Sequence, residues 1–312
     1  MLDVTAQPQP ALHRFAVFTA CCTFCLLIAG ALVTSRDAGL SIPDWPMAYN
    51  RLVPPLVGGI VYEYFHRVIA TFVGCLTIVL TVWLLRSEPR RWVRWVGVAA
   101  LGAVVAQGLL GGMTVLFFQP PAVSTAHATL AQIFFCTLVS LAVFTGAWWQ
   151  SDVAPVESAD TARIQSLAQW TVAAVFLQLI LGAAFRHKAF GLWPHLAGAV
   201  VVTLLIFSLA GTLKRTFRSV RPLRACARAL HILIGLQLLL GGAAYWSRVY
   251  SNSFPQPMLV MVVFTVAHVV TGALVLAATL VTTLVCHRLL RPVAARAAVS
   301  REPVAVGTEQ TA

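Results

Sequence analysis

Four histidines, His66, His127, His195 and His268, each stand in or at the end of a separate apolar stretch, two in each half of the chain. A single imidazole in such a place is ordinarily a hydrogen-bonded structural residue. Two pairs at repeat-related positions point further, because two imidazoles facing each other across apolar helices suit the axial coordination of a haem iron. Glu63 stands three residues before His66, so on a helix the two share a face. It is the one acid at the ligand end of an apolar stretch. A carboxylate at a helix start also complements the helix dipole, and both readings stand. The second half has Trp193 where the first has Glu63 and Tyr64. The pattern therefore predicts one site that does chemistry and one that only holds a cofactor. A Glu-x-x-His also occurs in di-iron carboxylate bundles, but those need about four carboxylates and these stretches supply one. Arg36, Arg67, Arg186 and Arg248 lie near the same ends. They suit haem propionates through charge-assisted hydrogen bonds, or lipid headgroups. His187 and His231 have no repeat partner, and His13 and His287 lie at the opposite ends; all four read as structural or interfacial.

The elements that must position these residues are membrane spans. The chain has 312 residues, 59% of them hydrophobic and only 10% charged, too little charge for the surface of a soluble domain. A span takes about 20 apolar residues. Eight such stretches are present, at 15–35, 64–86, 92–117, 123–147, 166–185, 193–213, 226–246 and 258–287. The first is too long for a cleaved leader and reads as a retained span. The fold class is an all-α integral membrane protein, with eight transmembrane helices as two pseudo-symmetric four-helix bundles. The formal net charge of +12 does not mean nucleic acid, because 16 of the 22 Lys and Arg fall on the segments of one side. The positive-inside rule then puts both termini in the cytoplasm, in an inner or plasma membrane, with the basic side against anionic lipid. The seven cysteines lie in or at the edges of spans, none in an outer loop and none in a CxxCH haem attachment. They read mostly as buried small hydrophobes.

The two halves repeat. GALVTSRDAGL after the first stretch parallels GAAFRHKAFGL after the fifth; QGLLGGMTVLF parallels QLLLGGAAYW; STAHATLAQ parallels FTVAHVVTGAL; EYFHRVIATFVG parallels WPHLAGAVV. Small-residue pairs let helices approach closely in lipid. The expected organisation is a cytoplasmic segment 1–14, a first four-helix half 15–147, a polar linker 148–165, a second half 166–290 and a tail 291–312. The outer loop 36–62 is long enough to be functional. Its Trp45 and Tyr49 suggest a lid packed on the membrane surface.

On the residues alone, two other readings remain open: a non-catalytic diheme cytochrome b relaying electrons to or from quinone, and a haem transporter or chaperone. The chain also resembles the haem A synthase family, over about residues 12–290. The motifs are GLSIPDWP after the first span, EYFHR opening the second, HATLAQ opening the fourth, and the single histidines of the sixth and eighth. The resemblance implies oxidation of a porphyrin methyl of haem O to a formyl group, giving haem A for terminal oxidases. It implies that His66 and His127 face the substrate haem, that Glu63 is the catalytic carboxylate, and that His195 and His268 ligate a resident haem b. Two hydroxylations would give a gem-diol that loses water to the aldehyde, with the protein supplying position and charge. It implies as partners a haem O synthase (protohaem farnesyltransferase) and oxidase assembly factors. Some members carry a cysteine pair in outer loops; this sequence has none there.

Overall fold

The computed structural model describes residues 9–293. Residues 1–8 of the expected cytoplasmic segment and 294–312 of the expected tail lie outside the described residues. The helices are α1 (Pro10–Ser35), α2 (Gly59–Ser87), α3 (Arg91–Leu116), α4 (Pro121–Thr145), the short α5 (Ala147–Gln150), α6 (Thr161–Arg186), α7 (Leu192–Thr216), α8 (Arg221–Tyr250) and α9 (Leu259–Leu289). All but α5 are long and apolar enough to cross a bilayer, so this is a multi-pass membrane protein. Apolar side chains line the outside, as lipid requires: Leu109, Trp170, Leu204 and Leu239 are all exposed, Leu204 by 65%. The linker is shorter than its polar composition suggested. Strand β1 (Val156–Glu157) pairs in parallel with β2 (Leu290–Arg291) beyond α9. Thr161 Oγ1 then donates to Arg291 O at 2.9 Å, and α6 starts there rather than at 166.

Each set of four long helices closes into the same ring of neighbours. In the first, α1 packs on α2, α2 on α3, α3 on α4 and α4 back on α1. In the second, α6, α7, α8 and α9 do the same. The sets meet where α9 lies against α1 and α4, through Val262, Val266, Ala273 and Ala277 on α9 and Ala31 and Phe135 opposite. One end of the assembly carries the loop 36–58 and is called here the loop end; the other carries most of the arginines and is called the basic end.

The tightly packed cores sit in the basic-end half of the bundle. Leu12, Leu80, Leu84, Leu138 and Leu141 fill the first set. Ile206, Leu209, Leu213, Leu223 and Leu230 fill the second. On the four histidine-bearing helices, these two cores begin at Val73, Phe134, Val202 and Val275. Each is seven residues beyond its histidine, about 10 Å at 1.5 Å per residue.

Several hydroxyls within these apolar helices are satisfied locally: Thr23, Thr77 and Thr282 each donate to the carbonyl four residues back. Thr81 instead crosses to Gly97 O, and Thr283 shares its hydroxyl between Thr279 O and Ala168 O, tying α2 to α3 and α9 to α6. The cysteines differ from expectation. Only Cys286 is buried; Cys21, Cys25 and Cys75 are exposed on helix faces that meet lipid, where a thiol is as tolerable as in a core. Cys22 and Cys25 do share CxxC spacing on α1, but no group of three metal-ligating side chains occurs among the described residues.

At the basic end, Glu88 is only 4% exposed. Arg90 grips it with Nε and Nη2 at 2.7 and 2.9 Å and also reaches Phe144 O, and Arg94 Nε bonds its carbonyl. Burial pushes the Glu88 carboxyl up, but the Arg90 hydrogen bonds win and hold it below the ordinary value.

Candidate functional site

Each of the four histidines meets a glycine on the preceding long helix. A Cβ added to Gly30 of α1 would lie 3.1 Å from His66 Cε1, and one on Gly111 of α3 would lie 3.4 Å from His127 Cε1. On Gly182 of α6 it would lie 2.9 Å from His195 Cε1, and on Gly241 of α8 2.9 Å from His268 Cε1. At Gly182 and Gly241 only a residue without a side chain lets the ring edge come this close, whereas the Gly111 distance is an ordinary contact. A glutamine precedes three of these glycines by one turn: Gln107, Gln178 and Gln237. The fourth place, on α1, holds Leu26.

His195 and His268 are brought together. Their ring centroids lie 6.2 Å apart with the planes at 85°. Two imidazoles in line on one metal, with metal–nitrogen bonds of about 2 Å such as zinc shows and ring nitrogens about 1.2 Å from the centroid, would be about 6.4 Å apart. The separation would suit two ligands of one haem iron, and in this structure His268 Nε2 lies 3.4 Å from Gln237 Nε2. Both Nδ1 atoms are engaged, that of His195 with Gln178 Nε2 at 3.0 Å and that of His268 with Gln237 O at 3.2 Å.

His66 and His127 are close enough for His127 to act electrostatically on His66. Their rings are not in contact, and each Nδ1 is buried without a hydrogen-bond partner among the described residues. Gln107 Nε2 reaches the His127 carbonyl at 3.1 Å but not its ring.

Glu63 stands one turn nearer the loop end than His66 and is 3% exposed, so it is not a solvated residue at a helix start. Its Oε1 accepts from Arg67 Nη2 at 2.6 Å and its Oε2 from the Ile42 amide at 2.9 Å. Arg67 also donates to Asp44 O at 2.8 Å and Met47 O at 2.9 Å. The Glu63–Arg67 pair thus anchors the loop 36–58. The rest of the loop is ordered by the same logic. The Asp44 carboxylate accepts from the Asn50 and Tyr49 amides, which hold it below its ordinary range, and Tyr49 Oη donates to Ser41 O. The loop also packs on the helices: the Trp45 indole tucks against Gly112 of α3, where a Cβ would fall 2.8 Å from the ring. It closes the end of the first four helices.

The other arginines sit close by. Arg186, at the end of α6, crosses to α1, donating through Nη2 to Ala31 O at 2.8 Å and Ser35 Oγ at 2.7 Å. Its Nη1 is buried without a partner among the described residues. Arg36 lies over the Tyr62 ring at 5.3 Å. Arg248 borders a cleft of about 310 Å³ with Phe185, Tyr245, Val249 and Asn252.

His13 bonds Ala142 O at 3.1 Å, His231 bonds Ala227 O at 2.8 Å, and His287 bonds the Gln169 amide at 3.1 Å. His187 is different. It follows Arg186, and burial, with Arg186 and then His127 adding positive charge nearby, pushes its imidazole down to about 4. It stays neutral at the junction of the two sets. The sequence reading missed the glutamines and the matched glycines. The signal was present as a Gln-x-x-x-Gly spacing in three spans.

Residues 59–287 match the cytochrome oxidase assembly protein family, COX15-CtaA. The chain is similar to a heme A synthase of Shouchella clausii, 26% identical over 255 residues that cover 72% of this chain and 83% of that one. It is similar to another of Lysinibacillus sphaericus, 31% identical over 201 residues, 60% of this chain and 63% of that one. One of Symbiobacterium thermophilum is 30% identical over 188 residues, 56% and 60% of the two chains. The last two matches span less than two thirds of those relatives.

Proposed function

The chain belongs to the cytochrome oxidase assembly protein family, and on that premise we propose that it is a haem A synthase. The reaction is oxidation of a porphyrin methyl of haem O to a formyl group, giving haem A for a terminal oxidase. The substrate haem faces His66 and His127, and a resident haem b is held by His195 and His268. One observation carries this division: both rings of the second pair are tethered through Nδ1, and neither ring of the first is. Histidines that hold a metal permanently are fixed by a partner on their other ring nitrogen. A haem that must enter and leave gains from looser ligands.

The resident haem supplies one-electron redox capacity when bound. The chain's own residues position and close the reaction site. The loop 36–58 excludes water over the first four helices, with Trp45 seated on Gly112. Glu63, the proposed catalytic carboxylate, keeps a second lone pair on each oxygen beyond the bonds to Arg67 and Ile42. It is the group that takes the proton from the reacting carbon or stabilises charge there. Arg186, with Nη1 uncommitted, and Arg36 and Arg248 serve propionates.

The two four-helix halves, 15–147 and 166–290, arose by duplication and diverged in function. Both termini lie in the cytoplasm and the haem level faces outward, because arginines concentrate at the basic end. Haem O comes from a protohaem farnesyltransferase, and haem A passes to oxidase assembly factors. Expression with a haem O source followed by pigment extraction tests the reading: haem A should accumulate. Haem b alone in the extract would make the protein an electron-relaying cytochrome.

A further inference from the structure

Gln178 holds His195 at two points. Its Nε2 lies 3.0 Å from His195 Nδ1 and donates to His195 O at 2.8 Å. Gly182, one turn on, admits the edge of the same ring. Gly198, three residues after His195, admits the amide itself: a Cβ there would run into Gln178 Oε1. That Oε1 is buried without a hydrogen-bond partner among the described residues. A haem ligand offers iron its Nε2 lone pair, so its proton sits on Nδ1 and needs an acceptor. A half-turn of the Gln178 amide brings Oε1, otherwise unpartnered, to that proton, and gives up the bond to His195 O in exchange, since one Nε2 makes both contacts.

We propose that Gln178 is the positioning residue of the resident haem site, fixing the ring plane of His195 in a notch that Gly182 and Gly198 keep open. This rests on reading His195 as a haem ligand. The other glutamines do not do the same work. Gln107 reaches only the main chain of His127, and His268 Nδ1 is held by the Gln237 main-chain carbonyl, while the Gln237 amide lies 3.4 Å from His268 Nε2 and not from its Nδ1. Gln178 is thus the one glutamine of the three whose side chain engages a ligand's Nδ1.

The test uses the full chain, purified with haem b. Gln178→Leu places on α6 the residue that α1 carries as Leu26. It should leave a bis-histidine low-spin haem but shift the highest g value of its ferric electron-paramagnetic-resonance spectrum, which reports ring-plane orientation. Haem retention against a haem-scavenging apoprotein should weaken about 10- to 100-fold, the usual effect of losing such an outer partner. Gly198→Ala, which leaves both Gln178 and His195 in place, should shift the same g value, and it carries the test if Gln178→Leu does not fold. Gln107→Leu should leave that signal where it is. Wild-type g values and retention in both Gln178→Leu and Gly198→Ala, with haem lost in His195→Ala, overturn the positioning role and leave the haem site standing. A full bis-histidine spectrum in His195→Ala overturns both.

Discussion

His195 and His268 face each other at 6.2 Å and 85° although they come from α7 and α9, which are separated in the chain by all of α8. On the proposed function the two rings hold one haem jointly. Replacing either by Ala should abolish the low-spin b-type absorbance of the purified protein, and replacing His66 or His127 should leave it. A pyridine haemochrome assay with reduced-minus-oxidised spectra checks this. A normal b-type spectrum in His195→Ala/His268→Ala would remove the second site from the scheme.

Glu63 both anchors a loop and stands near His66, so its substitution has two consequences that must be separated. Glu63→Gln should cut haem A output by about 10²–10⁴-fold, as losing an acid–base group does. Arg67→Lys keeps the charge but loses the planar fork that spans Glu63, Asp44 and Met47. It should speed proteolysis within 36–58 as much as Glu63→Gln or more, yet depress haem A output far less. If output tracks proteolysis equally in both variants, Glu63 is an anchor only.

The four ring-facing glycines give a graded series. Gly182→Ala and Gly241→Ala force a contact of 2.9 Å, and Gly111→Ala only 3.4 Å. Overpacking costs about 1–3 kcal/mol, while Ala is the better helix former by about 1 kcal/mol. Gly111→Ala should therefore melt at or above the wild-type temperature with its b-type haem intact. Gly182→Ala and Gly241→Ala should fall in haem-to-protein ratio, read from absorbance against amino-acid analysis.

At the basic end, Glu88→Gln should destabilise by about 1.5–3 kcal/mol, the worth of hydrogen bonds to a charged group, with the haem spectrum unchanged. Because the folded carboxyl is held below its ordinary 4.5, its contribution is complete above that pH and is lost as pH falls through the lowered value. Thermal melts across acid pH should fall less steeply in Glu88→Gln than in wild type.

Span number and the histidine pairs were legible because lipid demands long apolar runs and punishes any ionisable exception. Burial was not, because nearly every position in a span is apolar: Val73 and Phe72 are neighbours of equal hydrophobicity, one fully buried and one exposed. The ends of α1, α3 and α6 fall within one residue of the expected 35, 117 and 185, although Asp37, Phe118 and Lys188 rather than glycine take the left-handed position there, whereas α1, α2, α6 and α8 each start five residues earlier than expected. Glu63 read as a lip residue because α2 starts at Gly59 rather than 64 and because the Ile42 amide is brought to it only by the fold of the loop; Arg67, four residues on along α2, was in reach by spacing alone.

The cores that begin seven residues past each histidine divide the molecule mechanically. Most of the dense apolar interlock lies on the basic side, so the opposite side can breathe as a local unit while the whole stays folded. On the proposed function, uptake of a flat, bulky macrocycle from the loop end would require parting only the two turns of a few helices nearest that end and lifting one latch at Arg67. Amide exchange should show this as slow protons from Leu80, Leu138 and Leu209 and fast ones around Tyr64 and Ala126, a gradient along each helix rather than between helices.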